Sequence, residues 1–193
     1  MTDTTEAEQP PLDPDTSEAT REQLDRAVEQ GDAYKKAVLY MAEQVADTGG
    51  TKEAGDYLVG YAIEEAEGMY SLEGGELRWN NPHEENAHVE IAVMDASDGR
   101  FVPNLHVTAS LVTPDGEELG PYEHQLVWHP MIYHYARNWV LPADGDYTLK
   151  VHIDPAPFLR HDEVNGRRFV DPVDVEFAGV PIERDKEPVQ PPQ

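Results

Sequence analysis

The chain changes rhythm twice along its apolar positions. Residues 1–19 carry Pro10-Pro11, Pro14 and no basic residue, and hold too few apolar side chains to bury a core, so they read as a disordered acidic leader. From Thr20 the spacing turns helical. Thr20 and Gln23 have capping-box spacing, and Leu24, Ala27 and Val28 line one face before Gly31 interrupts the run. A second helix starts near Asp32, places Val38, Met41, Ala42 and Val45 at intervals of three and four, and stops at Gly49-Gly50. The segment 20–50 is thus expected to form two short α-helices that pack on the domain or on a partner.

After Lys52 the pattern becomes short β-rich runs separated by turn signals, and strands are predicted near 57–67, 86–95, 106–113, 122–128, 146–153 and 172–178. Val89, Ile91 and Val93 alternate, as do Tyr147, Leu149, Val151 and Ile153, and then Val173, Val175 and Phe177; these sets are the expected core. Pro114-Asp115-Gly116 marks a turn, and Asp144-Gly145-Asp146 precedes Tyr147 in the manner of a tyrosine corner. The fold class is therefore mainly β: an immunoglobulin-like antiparallel β-sandwich over 55–180, preceded by the two helices and followed by a disordered tail, 181–193.

Composition narrows the function. Acids outnumber bases 39 to 14, for a formal charge of −25, which excludes nucleic acid and anionic membranes as natural partners. The acids are spread throughout, as on a surface hydrated in strong salt, so the charge reads as a halophile's adaptation. The absence of cysteine removes disulfides, thiolate catalysis, iron–sulfur clusters and blue-copper sites. No window approaches the ~18 apolar residues of a membrane span. The start, Met1-Thr-Asp-Thr-Thr-Glu, has no signal-peptide character, which leaves a cytoplasmic chain and a trimmed exported one both open.

Three clusters could carry chemistry. If Val89, Ile91 and Val93 face the core, the pleat puts His88 and Glu90 together on the other face, roughly 7 Å apart at Cα. They could share one ion, or be two solvated residues on an acidic face. The second cluster, from His124 to Asn138, contains His129, Met131 and His134 among Trp128, Tyr133 and Tyr135; imidazoles with a thioether suit a soft-to-borderline metal, and an aromatic packing loop is the alternative. In the third, Arg160, Asp162 and Glu163 flank His161 and could orient its ring. No nucleophile elbow, phosphate-binding loop, dinucleotide glycine motif or His-Glu-x-x-His helix is present, so no catalysis is expected.

The order of these clusters, His88-Val-Glu90, Phe101-Val-Pro103 with Leu105, His134-Tyr135 with Asn138, Gly145-Asp-Tyr147, then Arg160-His161-Asp162 with Gly166 and Phe169, resembles the periplasmic iron-transport accessory proteins. That Fe(II)-transport family includes the treponemal metal-binding lipoprotein. The likeness runs from about Tyr57 to Phe177. It implies an immunoglobulin-like domain, usually a homodimer, that binds copper and iron or manganese outside the cytoplasmic membrane and serves iron uptake beside a membrane permease. It also implies His88, Glu90, His134 and His161 as ligands. The family's methionine, seven residues before the His-Tyr histidine, falls on Val127 here, so Met131 and His129 stand as rival further ligands; the next motif position is Ala136 where the family has glycine.

The expected function is therefore non-enzymatic binding of copper or iron, with manganese or zinc possible, in iron uptake or transport, weakening in mild acid as the histidines protonate. The competing reading is an adhesion or scaffold sandwich with an incidental histidine cluster, which would leave the helical apolar stripe exposed. A copper redox enzyme is a third, weakened by the lack of any His-x-His pair.

Overall fold

Alternation does set the core. Val89, Ile91 and Val93 pack with Leu149, Val151 and Ile153 in one buried cluster, joined by Val175 and edged by the half-buried Val173 and Phe177. The structure is a computed structural model that describes residues 12–14, 16 and 18–184, so most of the expected leader and most of the expected tail lie outside the described residues. At the near end of the leader, Asp13 exchanges hydrogen bonds with Asn165: its N–H donates to Oδ1 at 2.7 Å and its carbonyl accepts from Nδ2 at 3.1 Å.

The strands are β1 Thr48–Ala54, β2 Tyr57–Glu64, β3 Met69–Glu73, β4 Glu76–Asn80, β5 Ala87–Asp95, β6 Val107–Val112, β7 Glu118–Trp128, β8 Tyr133–Trp139, β9 Gly145–Ile153 and β10 Val173–Ile182. Eight of them form one antiparallel sheet in the order β1-β2-β5-β8-β7-β6-β9-β10, and β3-β4 is a separate hairpin. In place of two separate sheets, hydrogen bonding runs continuously, because β7 pairs with β6 through His124 and with β8 from Gln125 onward. The sheet is nearly barrel-like: Lys52 Nζ on β1 donates to the Glu176 carbonyl on β10 at 3.1 Å, and the Tyr61 and Phe177 rings meet at 4.6 Å.

The expected tyrosine corner forms. Tyr147 is fully buried, and its hydroxyl donates to the Ala143 carbonyl at 2.5 Å, fixing the entry to β9. Tyr147→Phe should lower unfolding free energy by about 1 kcal/mol, the net value of one such bond, in urea titration. An unchanged midpoint would show that the bond is not needed to set the corner.

Helix α1 corrects the expectation of two short helices. It runs unbroken from Arg21 to Tyr40 and continues into a π-helical turn, Met41–Val45. The capping box holds, with Gln23 N–H donating to Thr20 Oγ1 at 3.3 Å and Thr20 N–H to Gln23 Oε1 at 2.8 Å. Gly31 does not interrupt the helix. It is buried where the helix meets the 98–100 turn, and a Cβ there would stand 1.7 Å from the Asp98 carbonyl oxygen. Gly49-Gly50, expected to end a helix, lies inside β1. Val38 and Met41 pack on Leu58, Ala62, Ala92, Met94 and Ile132 on the outer face of the sheet and Ala42 is buried, while Val28 and Val45 are exposed, so the apolar stripe of the helical segment is covered only in part. Among the described residues no helix is long and apolar enough to cross a membrane.

Candidate metal centre

β5 is buried on both sides along its whole length, with the helical segment over Ala92 and Met94 and with Glu67 and Asn138 against His88. His88 and Glu90, with Val89 and Ile91 turned to the core, are therefore 0 % and 5 % exposed rather than solvated. β8 lies beside β5 with His88 opposite Asn138 and Glu90 opposite Ala136. Along β8 the pleat sends Tyr135 inward, where its hydroxyl donates to the Val102 carbonyl at 2.9 Å and accepts from Leu105 N–H at 3.0 Å. It sends His134, 3 % exposed, to the outer face.

His134 Nε2 is 3.2 Å from Glu90 Oε1, and His88 Nε2 is 3.9 Å from the same oxygen. One ligand atom from each residue lies within 4.8 Å of the others. The two imidazoles meet edge to face, with centroids 6.4 Å apart. Glu67, half-buried at the end of the loop after β2, brings Oε2 to 3.8 Å from His88 Nε2.

Asn138 fixes the His88 tautomer. Its Nδ2 donates to the Glu67 carbonyl at 2.7 Å while its Oδ1 accepts from Glu67 N–H at 3.2 Å, which settles the amide orientation. Oδ1 stands 2.7 Å from His88 Nδ1, and an oxygen can only accept, so Nδ1 carries the proton and Nε2 presents its lone pair to Glu90 and His134. His88 Nε2 and both ring nitrogens of His134 are buried without a hydrogen-bond partner. Such orphaned groups cost about 1–3 kcal/mol each and call for an explanation such as an ion. Two imidazoles and a carboxylate fit copper, iron, zinc or manganese by donor type.

Electrostatics keep these donors free of positive charge. Burial depresses His134 to about 3, helped by the neighbouring His88 and His129, and burial likewise lowers His88. Burial, then repulsion from Glu64 and Glu67, raises Glu90 to about 8, and burial followed by Glu67 raises Glu64 to about 7. A cation would relieve this crowding of carboxyls.

The other expected site residues do not join this cluster within one chain. His161 is 91 % exposed in its side chain and lies 4.0 Å from Glu18 Oε2. Arg160, placed to orient it, instead donates to the carbonyls of Phe158, Ala156, Arg168 and Phe169, and Asp162 accepts from Asn165. Met131 is 39 % exposed and His129 is exposed, on the turn between β7 and β8, where His129 Nδ1 accepts from Met131 N–H at 3.2 Å. Val127 pairs directly with His134 across β7 and β8. His124 is a packing histidine: Nδ1 donates to the Tyr122 carbonyl at 3.3 Å and Nε2 accepts from Trp139 Nε1 at 3.5 Å. Glu67 gave no sequence signal, since it ends an acidic run, Glu64-Glu65-Ala66-Glu67, that reads as a solvated edge.

No curated protein matches this chain. Among solved structures, a copper-bound variant of FetP from uropathogenic Escherichia coli strain F11 is 16 % identical, with 75 % of this chain and 96 % of that one covered at a TM-score of 0.57. Copper-reconstituted P19 from Campylobacter jejuni is 17 % identical, with 71 % and 96 % covered at 0.56. FetP as isolated, expressed in the periplasm of E. coli, is 16 % identical, with 70 % and 97 % covered at 0.52. These likenesses establish the shared fold. The sequence model of the Fe2+ transport proteins matches residues 75–180, more than half of the chain and the stretch that carries His88, Glu90, His134 and His161, and the chain belongs to the Fe2+ transport protein family.

Proposed function

We propose that this protein binds one copper or iron ion at His88, Glu90 and His134 and serves iron uptake outside the cytoplasmic membrane, as a carrier rather than an enzyme. The observation that carries this reading is the set of three unpartnered imidazole nitrogens buried within reach of Glu90. The family description favours iron as cargo, and the copper-bound FetP and P19 favour copper; manganese and zinc suit the same donors. We place a membrane iron permease as the partner and a homodimer as the working form. In that dimer the exposed His161 is available as a ligand to a second copy. The charge of −25 suits a salt-rich surrounding. The scaffold reading needs the helical stripe left exposed; Val28 and Val45 are exposed, but Val38, Met41 and Ala42 beside the cluster are buried.

Calorimetric titration of metal-free protein with Cu(II), Mn(II) and anaerobic Fe(II) tests the proposal. Saturable binding of one ion per chain is expected, removed in a His88→Ala, His134→Ala double variant; no saturable binding, or equal binding by the double variant, would sink it. The pH dependence has a defined sign. Burial lowers both imidazoles, His134 to about 3, while Glu90 is raised to about 8, so the competing proton sits on Glu90. Apparent affinity should therefore rise about tenfold per pH unit up to pH 8 and flatten above it, with one proton released per ion at pH 7. Titration in buffers of different ionisation enthalpy reads that proton, and affinity independent of pH between 6 and 8 would remove Glu90 from the ligand set.

A further inference from the structure

The helix that covers the site lies outside the residues matched by the family, and one of its side chains shares a cavity with the ligands. We propose that Met41 is a thioether ligand to the ion held by His88, Glu90 and His134, so that the helical segment is a wall of the metal centre and not only its cover. The proposal rests on the metal-binding reading above.

Glu90 and His134 line a cavity of about 10 Å³, the scale of a single water or ion, whose other walls include Val38, Met41, Ala62 and Ile132. Of the residues the helical segment contributes there, Val38 and Ala42 end in carbon and Met41 ends beyond a sulfur, so the sulfur is the only side-chain donor presented from that side. Both nitrogens of His134 lack partners in this same cavity wall, and Met41 is only 7 % exposed, so solvent does not compete for its thioether. Met41 is also the first residue of the π-helical turn. Widened turns of that kind recur at functional sites.

The other described methionines, Met69, Met94 and Met131, provide comparison: Met69 lies on β3 of the separate hairpin and does not line the cavity. Met94 is fully buried in the same apolar layer but is not among the cavity-lining residues, and Met131 sits on the exposed β7–β8 turn. A thioether added to two imidazoles and a carboxylate turns the site toward softer ions, Cu(I) above all, while leaving Mn(II) to the oxygen and nitrogen donors.

X-ray absorption of the full chain loaded with Cu(I), in sulfur-free buffer, tests this directly. With no cysteine in the chain, any protein sulfur at the metal is a methionine. A sulfur scatterer is expected in the wild type, Met69→Leu, Met94→Leu and Met131→Leu, and is expected to disappear in Met41→Leu, a volume-conserving change. Cu(I) affinity of Met41→Leu should fall about a hundredfold, the upper end of what losing a supporting contact costs a metal site, with Mn(II) affinity unchanged. Selenomethionine-labelled Met69→Leu, Met94→Leu, Met131→Leu protein, in which Met41 is the one methionine left besides Met1, should show selenium beside copper, so the assignment does not depend on how Met41→Leu folds. A sulfur shell that survives Met41→Leu, or bound Cu(I) without any sulfur or selenium shell, overturns the proposal and leaves the metal site standing. Failure of the wild type to bind any metal overturns the metal-binding reading itself.

Discussion

His134→Leu is expected to abolish metal binding and, at the same time, to make the metal-free protein more stable. The two effects share one cause. In the metal-free fold both ring nitrogens of His134 are buried without partners beside a carboxyl that burial and repulsion keep protonated. The folded state therefore bears a desolvation penalty of about 1–3 kcal/mol for each orphaned group that an ion would relieve. Leucine removes both nitrogens and faces Val38, Ala62 and Ile132, which already make an apolar wall. Urea unfolding of the metal-free variant should give a midpoint above that of the wild type, by about 1–3 kcal/mol once a small packing mismatch is deducted. In the presence of metal the order reverses. A ligand at a thousand times its dissociation constant adds about 4.1 kcal/mol to whatever binds it, and the variant gains nothing. A structural histidine would behave oppositely, as His124 should: its nitrogens are both satisfied, so its replacement destabilises in every condition. A metal-free His134→Leu protein less stable than the wild type would move His134 into that structural class.

Much of this arrangement is legible in the residues, and the rest is hidden for identifiable reasons. The alternation of Val89, Ile91 and Val93 puts His88 and Glu90 on one face, and that holds. The reading of that face as solvated fails, because local pattern shows neither the helical segment that closes over Glu90 nor the Glu67 and Asn138 side chains that meet His88. β8 is obscured by its aromatics: His134-Tyr135 looks like a loop motif until its register with β5 shows alternate residues serving site and core. The β3–β4 hairpin escapes because neither face is buried, with Leu72 and Leu77 exposed, although Gly74-Gly75, both at positive φ, is the turn that such hairpins prefer. Glycine misleads twice, at Gly31 and at Gly49-Gly50, because a residue that ends helices in isolation also permits close backbone contact, and only the neighbouring element reveals which use applies. His161 follows the family order yet is exposed and stands apart from the cluster, which residue order alone does not reveal.

Gly31→Ala is expected to destabilise the protein by about 1–3 kcal/mol, against the helix propensity scale, which favours alanine over glycine in a helix interior by about 1 kcal/mol. The sign reverses because of what the added methyl meets. Its ideal position is 1.7 Å from the Asp98 carbonyl oxygen, 2.6 Å from the Asp98 carbonyl carbon and 2.7 Å from Arg100 N, all backbone atoms of a turn that hydrogen bonds from Gly99 N–H and Arg100 N–H hold in place. The contact is reciprocal, since a Cβ on Gly99 would stand 3.0 Å from the Gly31 carbonyl oxygen. The helix must then lift from the turn, and a rigid helix carries the movement along its length, past the Tyr34 hydroxyl that donates to the Tyr133 carbonyl, toward Val38, Met41 and Ala42 over the metal centre. Gly31→Ala should therefore show a lower urea midpoint, faster amide exchange along Arg21–Tyr40 and faster loss of bound metal to a chelator, whereas Gln30→Ala, one residue away and exposed, should stay within ~0.5 kcal/mol of the wild type. A Gly31→Ala protein as stable as the wild type, with unchanged exchange and metal release, would mean that the helix is not seated on the 98–100 turn and does not govern access to His88, Glu90 and His134.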